Sequence, residues 1–296
     1  MNLDPMKTMR NRKTGSCRFS EPVFRITAAV MVLGHPFILN AQTSPMAGVL
    51  PSVNEVVECL SVGVGHSAVV DEYLSPNLYS GLSVVTRQDR MGYRGSEKLF
   101  QYYRTSSSLS ASHLGNSTGN GVQIEAAAVM TRVWERQLLH YKYYDLLLGP
   151  SVTGGLDAIY NLRNSNNPAN VHGWIAAGAG ADSMFRFRLW KRQLALDASV
   201  SMPLMGLFFV PEYNLPYYLL YEERLYGKAL HFMHPFNVTV LSHDLALFVP
   251  MGRNQLSLSF SFDIMSHRLG GNDSGICHSR FNLGYVHRFE RKYNGR

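Results

Sequence analysis

Eight charged residues carry most of the chemistry open to this chain: Arg87, Asp145, Asp157, Arg186, Arg188, Asp197, Asp263 and Arg288. They stand in stretches where large apolar residues alternate with small polar ones, so each charge shares a face with serine or glycine, opposite a greasy face. Acids and bases gathered on one face suit a selective ion path. They also suit ion pairs that fill and hold a narrow interior, and the pairing of acids with arginines makes that filling role the expectation.

A second group is aromatic. Tyr213, Tyr217, Tyr218, Tyr221 and Tyr226 crowd the segment from Pro211 to His234. Their ring faces suit stacking on a glycan or on a surface protein, while the segment itself suits a lid folded over its own domain, which is the favoured reading. His231 and His234 have no acid or cysteine beside them, so no metal is assigned. Two Ser-His neighbours, His66-Ser67 and Ser242-His243, point to opposite faces of a strand and cannot bond directly. A lipid hydrolase is therefore only an alternative. The glycines of SVGVGHS lie within an alternating strand with no helix after them, so no nucleotide loop forms and no cofactor is expected.

The elements that position these groups are strands. Leu256, Leu258, Phe260, Phe262 and Ile264 alternate with Ser257, Ser259, Ser261 and Asp263; Phe281, Leu283 and Tyr285 alternate with Asn282 and Gly284. In a soluble sandwich the outer face carries many long charged side chains. Here the polar face is made of small residues, which suits a crowded lumen with the apolar face toward lipid. The fold class expected is all-β, an antiparallel transmembrane β-barrel of about 10 strands, with a secreted β-sandwich binding protein as the alternative. The strands are expected at 55–70, 80–90, 97–113, 121–136, 143–161, 172–190, 193–210, 236–249, 254–268 and 278–291. Even-numbered connections read as tight and odd-numbered ones as wide, which places both termini in the periplasm.

The net charge of +7 does not point to nucleic acid, because six basic residues, Lys7, Arg10, Arg12, Lys13, Arg18 and Arg25, concentrate in the first forty-one positions. That basic leader, the apolar run Ile26 to Asn40 and Ala41 predict a signal peptide over 1–41. A short periplasmic segment (42–54), the barrel (55–291) and a tail (292–296) follow. The partners implied are outer-membrane lipid and a small solute, glycan or surface protein, with no nucleic acid.

The stretch RFRLWKRQLALD predicts a hairpin turning at Lys191-Arg192, which would set Arg186 opposite Asp197 in the lumen. Trp134 and Trp190 fit an interfacial aromatic girdle. Cys59 and Cys277 fall at opposite ends of neighbouring strands, beyond disulfide reach. His243 falls on the lipid side of its strand, which implies a bulge or a misplaced strand.

The segments SVGVGHSAVVDEYLSPNLYSG, YNLRNSNNPANVH, FRLWKRQLALDASVSMPLMGLFFVPEYNLPYY and FNLGYVHRF resemble a Bacteroidota family of exported proteins, domain of unknown function 3316. The most specific pieces are Leu74 to Gly81 and Asn161 to Ala169. The resemblance implies an exported outer-membrane barrel and implies no activity. YYLLYEERLYGKALHF departs from the family pattern and is the place for individual specificity.

Overall fold

The computed structural model describes residues 50–53, 55–164, 167–189, 192–251 and 254–290. The predicted signal peptide, the 292–296 tail, Trp190 and Lys191 lie outside them.

Eleven strands form: β1 (Glu55–Asp71), β2 (Ser75–Tyr93), β3 (Tyr102–Asn116), β4 (Val122–Tyr141), β5 (Tyr144–Asn161), β6 (Ala169–Leu189), β7 (Arg192–Phe209), β8 (Leu230–Met233), β9 (Val238–Met251), β10 (Asn254–Leu269) and β11 (Asn272–Glu290). All neighbours are antiparallel, and β1 pairs with β11 while β7 pairs with β9, so the sheet closes as a ten-stranded barrel. β8 is a short extra strand on the end of β7. Closure removes every sheet edge from lipid, where an unpaired backbone is costly. The sandwich alternative is thereby excluded. Among the described residues no helix is long and apolar enough to cross a membrane.

Alternation builds the wall. Leu60, Val62, Leu258, Phe281, Leu283 and Tyr285 are exposed on the outer face, while Ser61, Ser83, Ser112, Ser257 and Ser261 are buried inside. The connection rhythm holds only in part. Three of the four links at the end where β1 begins and β11 ends, the termini end of the barrel wall, are two residues long, but β2–β3 takes 94–101. At the opposite end β10–β11 is tight, because Gly270 and Gly271 both take positive φ (58° and 77°), as a two-residue hairpin turn requires.

The expected hairpin register needs correction. Arg192 lies within β7 opposite Leu189, so Arg186 faces Ala195 and Asp197 faces Met184. The link falls one residue earlier than expected, which slides the register by two and leaves every side chain on its original face. β11 also begins six residues before the expected strand, at Asn272. Cys59 then stands opposite Val286 and Cys277 opposite Ala68, and no disulfide joins them. His243 needs neither a bulge nor a new strand: β9 runs against β10 without a register shift. It keeps its lipid-side parity in the strand, is buried, and Nδ1 meets the Ser199 carbonyl at 2.8 Å.

The interior has two levels. Toward the end away from the termini, Val69, Leu114, Ile159, Trp174, Phe208, Met233, Met265 and Ile276 form an apolar core inside the barrel. Trp174 stacks on Phe208 with centroids 6.2 Å apart. It has room because Gly155 faces it, and a Cβ there would come within 2.2 Å of the indole. Toward the termini the filling is charged, and Leu50 packs there against Met184, Ala195 and Phe248.

Candidate functional site

The charged filling is built from strands that each contribute an inward residue. Arg87 on β2 pairs with Asp89 (2.8 Å) and with Asp244 of β9 (3.0 Å) across the lumen. Arg104 on β3 meets Asp182 at 2.9 Å and Glu135 at 3.6 Å, and Asp197 faces the same guanidinium from β7. Asp145 is fully buried between Arg186 and His140. Arg288 pairs with Glu55 (3.1 Å), and Asp263 with Arg280 (3.4 Å). Seven of the eight expected lumen charges thus face inward, although Arg186 pairs with Asp145 rather than with Asp197. Arg188 is the exception: β6 carries it past the mouth of the barrel, and it is exposed.

Five carboxylates (Asp89, Glu135, Asp182, Asp197, Asp244) surround Arg87 and Arg104. A cavity of about 100 Å³ remains beside them, lined by both arginines, Asp244 and serines including Ser106, Ser108, Ser199 and Ser201. That space suits a few waters.

Other residues missed by sequence reasoning sit nearer the apolar core, around the expected Asp157. Asp157 meets His172 Nδ1 at 3.0 Å, and Asn170 donates to Asp71 at 2.7 Å. The Ser67 hydroxyl lies 2.8 Å from His278 Nδ1, and His278 Nε2 lies 3.2 Å from Glu125. With the ring proton on Nε2, both contacts are satisfied in the order a general base needs. Ser67 is 0 % exposed, however, so this relay ties β1, β11 and β4 together without facing an opening. Only closure of the barrel places Ser67 opposite His278, and no turn joins those two strands to reveal their register.

Over the apolar core lies the segment between Phe209 and Val238, folded as a lid. It contains helix α1 (Tyr217–Glu222) and a 3-10 turn (Tyr226–Lys228), and it buries Leu215, Leu220 and Ala229. Tyr217 pins it: the hydroxyl donates to Asn170 (2.9 Å) and accepts the Val171 N–H (2.7 Å). Tyr73 donates to the Leu215 carbonyl (3.0 Å), and its ring meets Tyr217 edge-on at 6.1 Å. Asn272 holds the Pro211 carbonyl at 3.0 Å. Burial raises both phenol pKa values, Tyr217 and Tyr73 alike. The other four tyrosines do not join this latch. Tyr213, Tyr218, Tyr221 and Tyr226 are exposed, Tyr221 by 75 %. His231 turns inward to the Val210 carbonyl (3.1 Å), and His234 Nδ1 accepts the Phe236 N–H (3.3 Å).

A closed antiparallel barrel with a lipid-compatible outer face and a polar lumen defines an outer-membrane β-barrel protein. The chain belongs to the family described as protein of unknown function (DUF3316), which matches residues 29–295. No curated protein matches it in sequence. Among solved structures it is similar to the outer membrane protease OmpT from Escherichia coli (6% identity, TM-score 0.45, covering 82% of this chain and 99% of that one). It is also similar to the translocator domain of the autotransporter NalP from Neisseria meningitidis (8%, 0.40, 90% and 95%) and to an outer membrane channel from Pseudomonas putida F1 (13%, 0.35, 84% and 100%). At these identities the likeness lies in the barrel alone.

Proposed function

We propose that this protein is a non-enzymatic outer-membrane scaffold whose lumen is filled and whose working surface is the lid. In this reading both termini lie in the periplasm and the lid faces the cell exterior, where it takes a glycan. The observation that carries it is the division among the lid tyrosines: Tyr217 is spent on the latch, while Tyr213, Tyr218, Tyr221 and Tyr226 offer exposed rings. Aromatic faces with a hydroxyl at one edge suit the apolar faces and hydroxyls of sugar rings. A filled interior supports the same reading, since a lumen holding about 100 Å³ of free space passes little.

The test uses the refolded chain, with a heat-modifiable gel shift to establish a folded barrel. The expected results are silence in a planar bilayer and retention on immobilised polysaccharide, reduced at least tenfold by Tyr218→Ala with Tyr221→Ala. Discrete conductance steps whose ion preference changes on Asp197→Arg would make the protein a channel instead. Retention on a surface protein but on no polysaccharide would replace the glycan as the partner.

A further inference from the structure

The outer wall carries polar residues where lipid contact favours none, and they fall in rows. Arg90 on β2 stands opposite Thr105 on β3, and Thr105 opposite Arg132 on β4. All three point outward, near the rim where the termini lie. Neighbouring strands are about 4.8 Å apart, so the two arginines flank the threonine with their α-carbons about 10 Å apart. Arg132 lies over the Tyr103 ring at 4.8 Å and the Trp134 ring at 5.6 Å. Among the described residues, no carboxylate lies within ion-pair distance of Arg132. Arg90 is half-exposed and pairs with Glu58 at 3.0 Å. The row therefore holds one positive charge that the protein does not neutralise, near the rim, where a lipid headgroup can supply the anion.

The next rows continue a pattern. Two residues further from the rim, about 7 Å along the strands, Gln88 stands opposite Ser107 and Ser107 opposite Met130. Beyond them Thr86, Leu109 and Ala128 align and open onto the apolar belt around the barrel's waist. Guanidiniums at the rim, an amide and a hydroxyl one step deeper and then a row of threonine, leucine and alanine leading to the apolar belt repeat the layering of phosphate, ester and acyl chain in a glycerophospholipid.

We infer that the outer faces of β2, β3 and β4 form a binding site for one glycerophospholipid, whose phosphate is held by Arg90, Thr105 and Arg132. Arginine on either side supplies charge-assisted hydrogen bonds to the phosphate oxygens, and the Thr105 hydroxyl donates between them. Tyr103 and Trp134 hold the Arg132 guanidinium flat and ready, which reduces the entropy lost when lipid binds. A phospholipid is the occupant in particular because the site lies at the termini end, which the proposed orientation puts in the periplasmic leaflet.

Native mass spectrometry of the folded barrel, released from detergent with added phosphatidylglycerol, tests this. The expected result is retention of one lipid, with diacylglycerol, which lacks the phosphate, and inorganic phosphate retained at least tenfold less. Arg90→Gln with Arg132→Gln should lower phosphatidylglycerol retention tenfold or more, with the heat-modifiable gel shift intact. If that pair does not fold, Thr105→Val should lower retention severalfold. Equal retention of diacylglycerol, or phosphatidylglycerol retention unchanged in the variants, would overturn the site. Retention of lipid A at these arginines with no retention of phosphatidylglycerol would overturn both the phospholipid and the orientation, while leaving the glycan result to stand or fall separately.

Discussion

The two halves of the lumen solve one packing problem with different chemistry. Below the lid the interior is an apolar core, Trp174 on Phe208 with Leu114, Ile159 and Met265 around them, beside histidine–carboxylate contacts such as His172–Asp157. Toward the termini the same diameter is filled by guanidinium–carboxylate contacts about Arg87 and Arg104. The apolar half is fixed by shape, since close-packed side chains admit few rearrangements. The charged half is fixed by pairing, and its stability depends on each charge keeping its partners.

The contrast predicts responses of different kind and size. Arg104→Met should be the most damaging, at about 3–5 kcal/mol in denaturant unfolding of the liposome-reconstituted barrel, because it strands buried carboxylates. That loss should shrink in mild acid, where the stranded groups take up protons. A cost under about 1 kcal/mol would show that the charged half contributes little to the fold. Leu114→Ala in the apolar half should cost about 2–5 kcal/mol by leaving a cavity, with no change on acidification; a pH-dependent loss would erase the distinction between the halves. Tyr217→Phe should cost least, about 1–3 kcal/mol for the two lost hydrogen bonds, and should appear as protease cleavage within the lid while the barrel stays folded.

The same latch should respond to alkali. Burial raises the Tyr217 phenol above its ordinary value of 10, so the closed lid holds the proton more tightly than the open one. The resulting stabilisation is fully present below pH 10 and is lost as the pH rises above it, because only the open lid ionises freely there. Limited proteolysis between pH 8 and 11 should show lid cleavage growing above pH 10 in the wild type and much less change in Tyr217→Phe.

Much of this was legible in the sequence, for reasons that also mark its limits. Alternation at period two reports the face of every strand residue, so Arg87, Asp157, Asp197 and Asp263 could be assigned to the lumen without any register. Partners need register. A two-residue turn misplaced by one position moved Arg186 away from Asp197, and the β1–β11 seam has no turn at all, so Ser67, Glu125 and His278 gave no local sign of one another. Arg104, Glu135, Asp182 and Asp244 carried the same signal as the residues chosen, alternation on an inward face, and that signal could have found them. Arg188 shows the opposite limit: parity gives direction but not depth, and a strand that outruns the wall carries an inward residue into water. The lid tyrosines were legible as a group, whereas the separation of Tyr217 from the rest depends on Asn170, which lies forty-seven positions away.

The wall is also uneven in how firmly it is stitched. β1 and β11, the first and last strands of the barrel, pair without interruption from Glu55 to Asp71. β7 and β9 pair only over Ala195–Ser201, after which β7 turns to β8. In an assembling barrel the strands must close somewhere last, and in a finished one they must part somewhere first. The short β7–β9 stitch, which stops before the lid end, is where amide protons should exchange soonest, so the barrel would breathe sideways toward the bilayer at that point, while the seam between β1 and β11 stays shut.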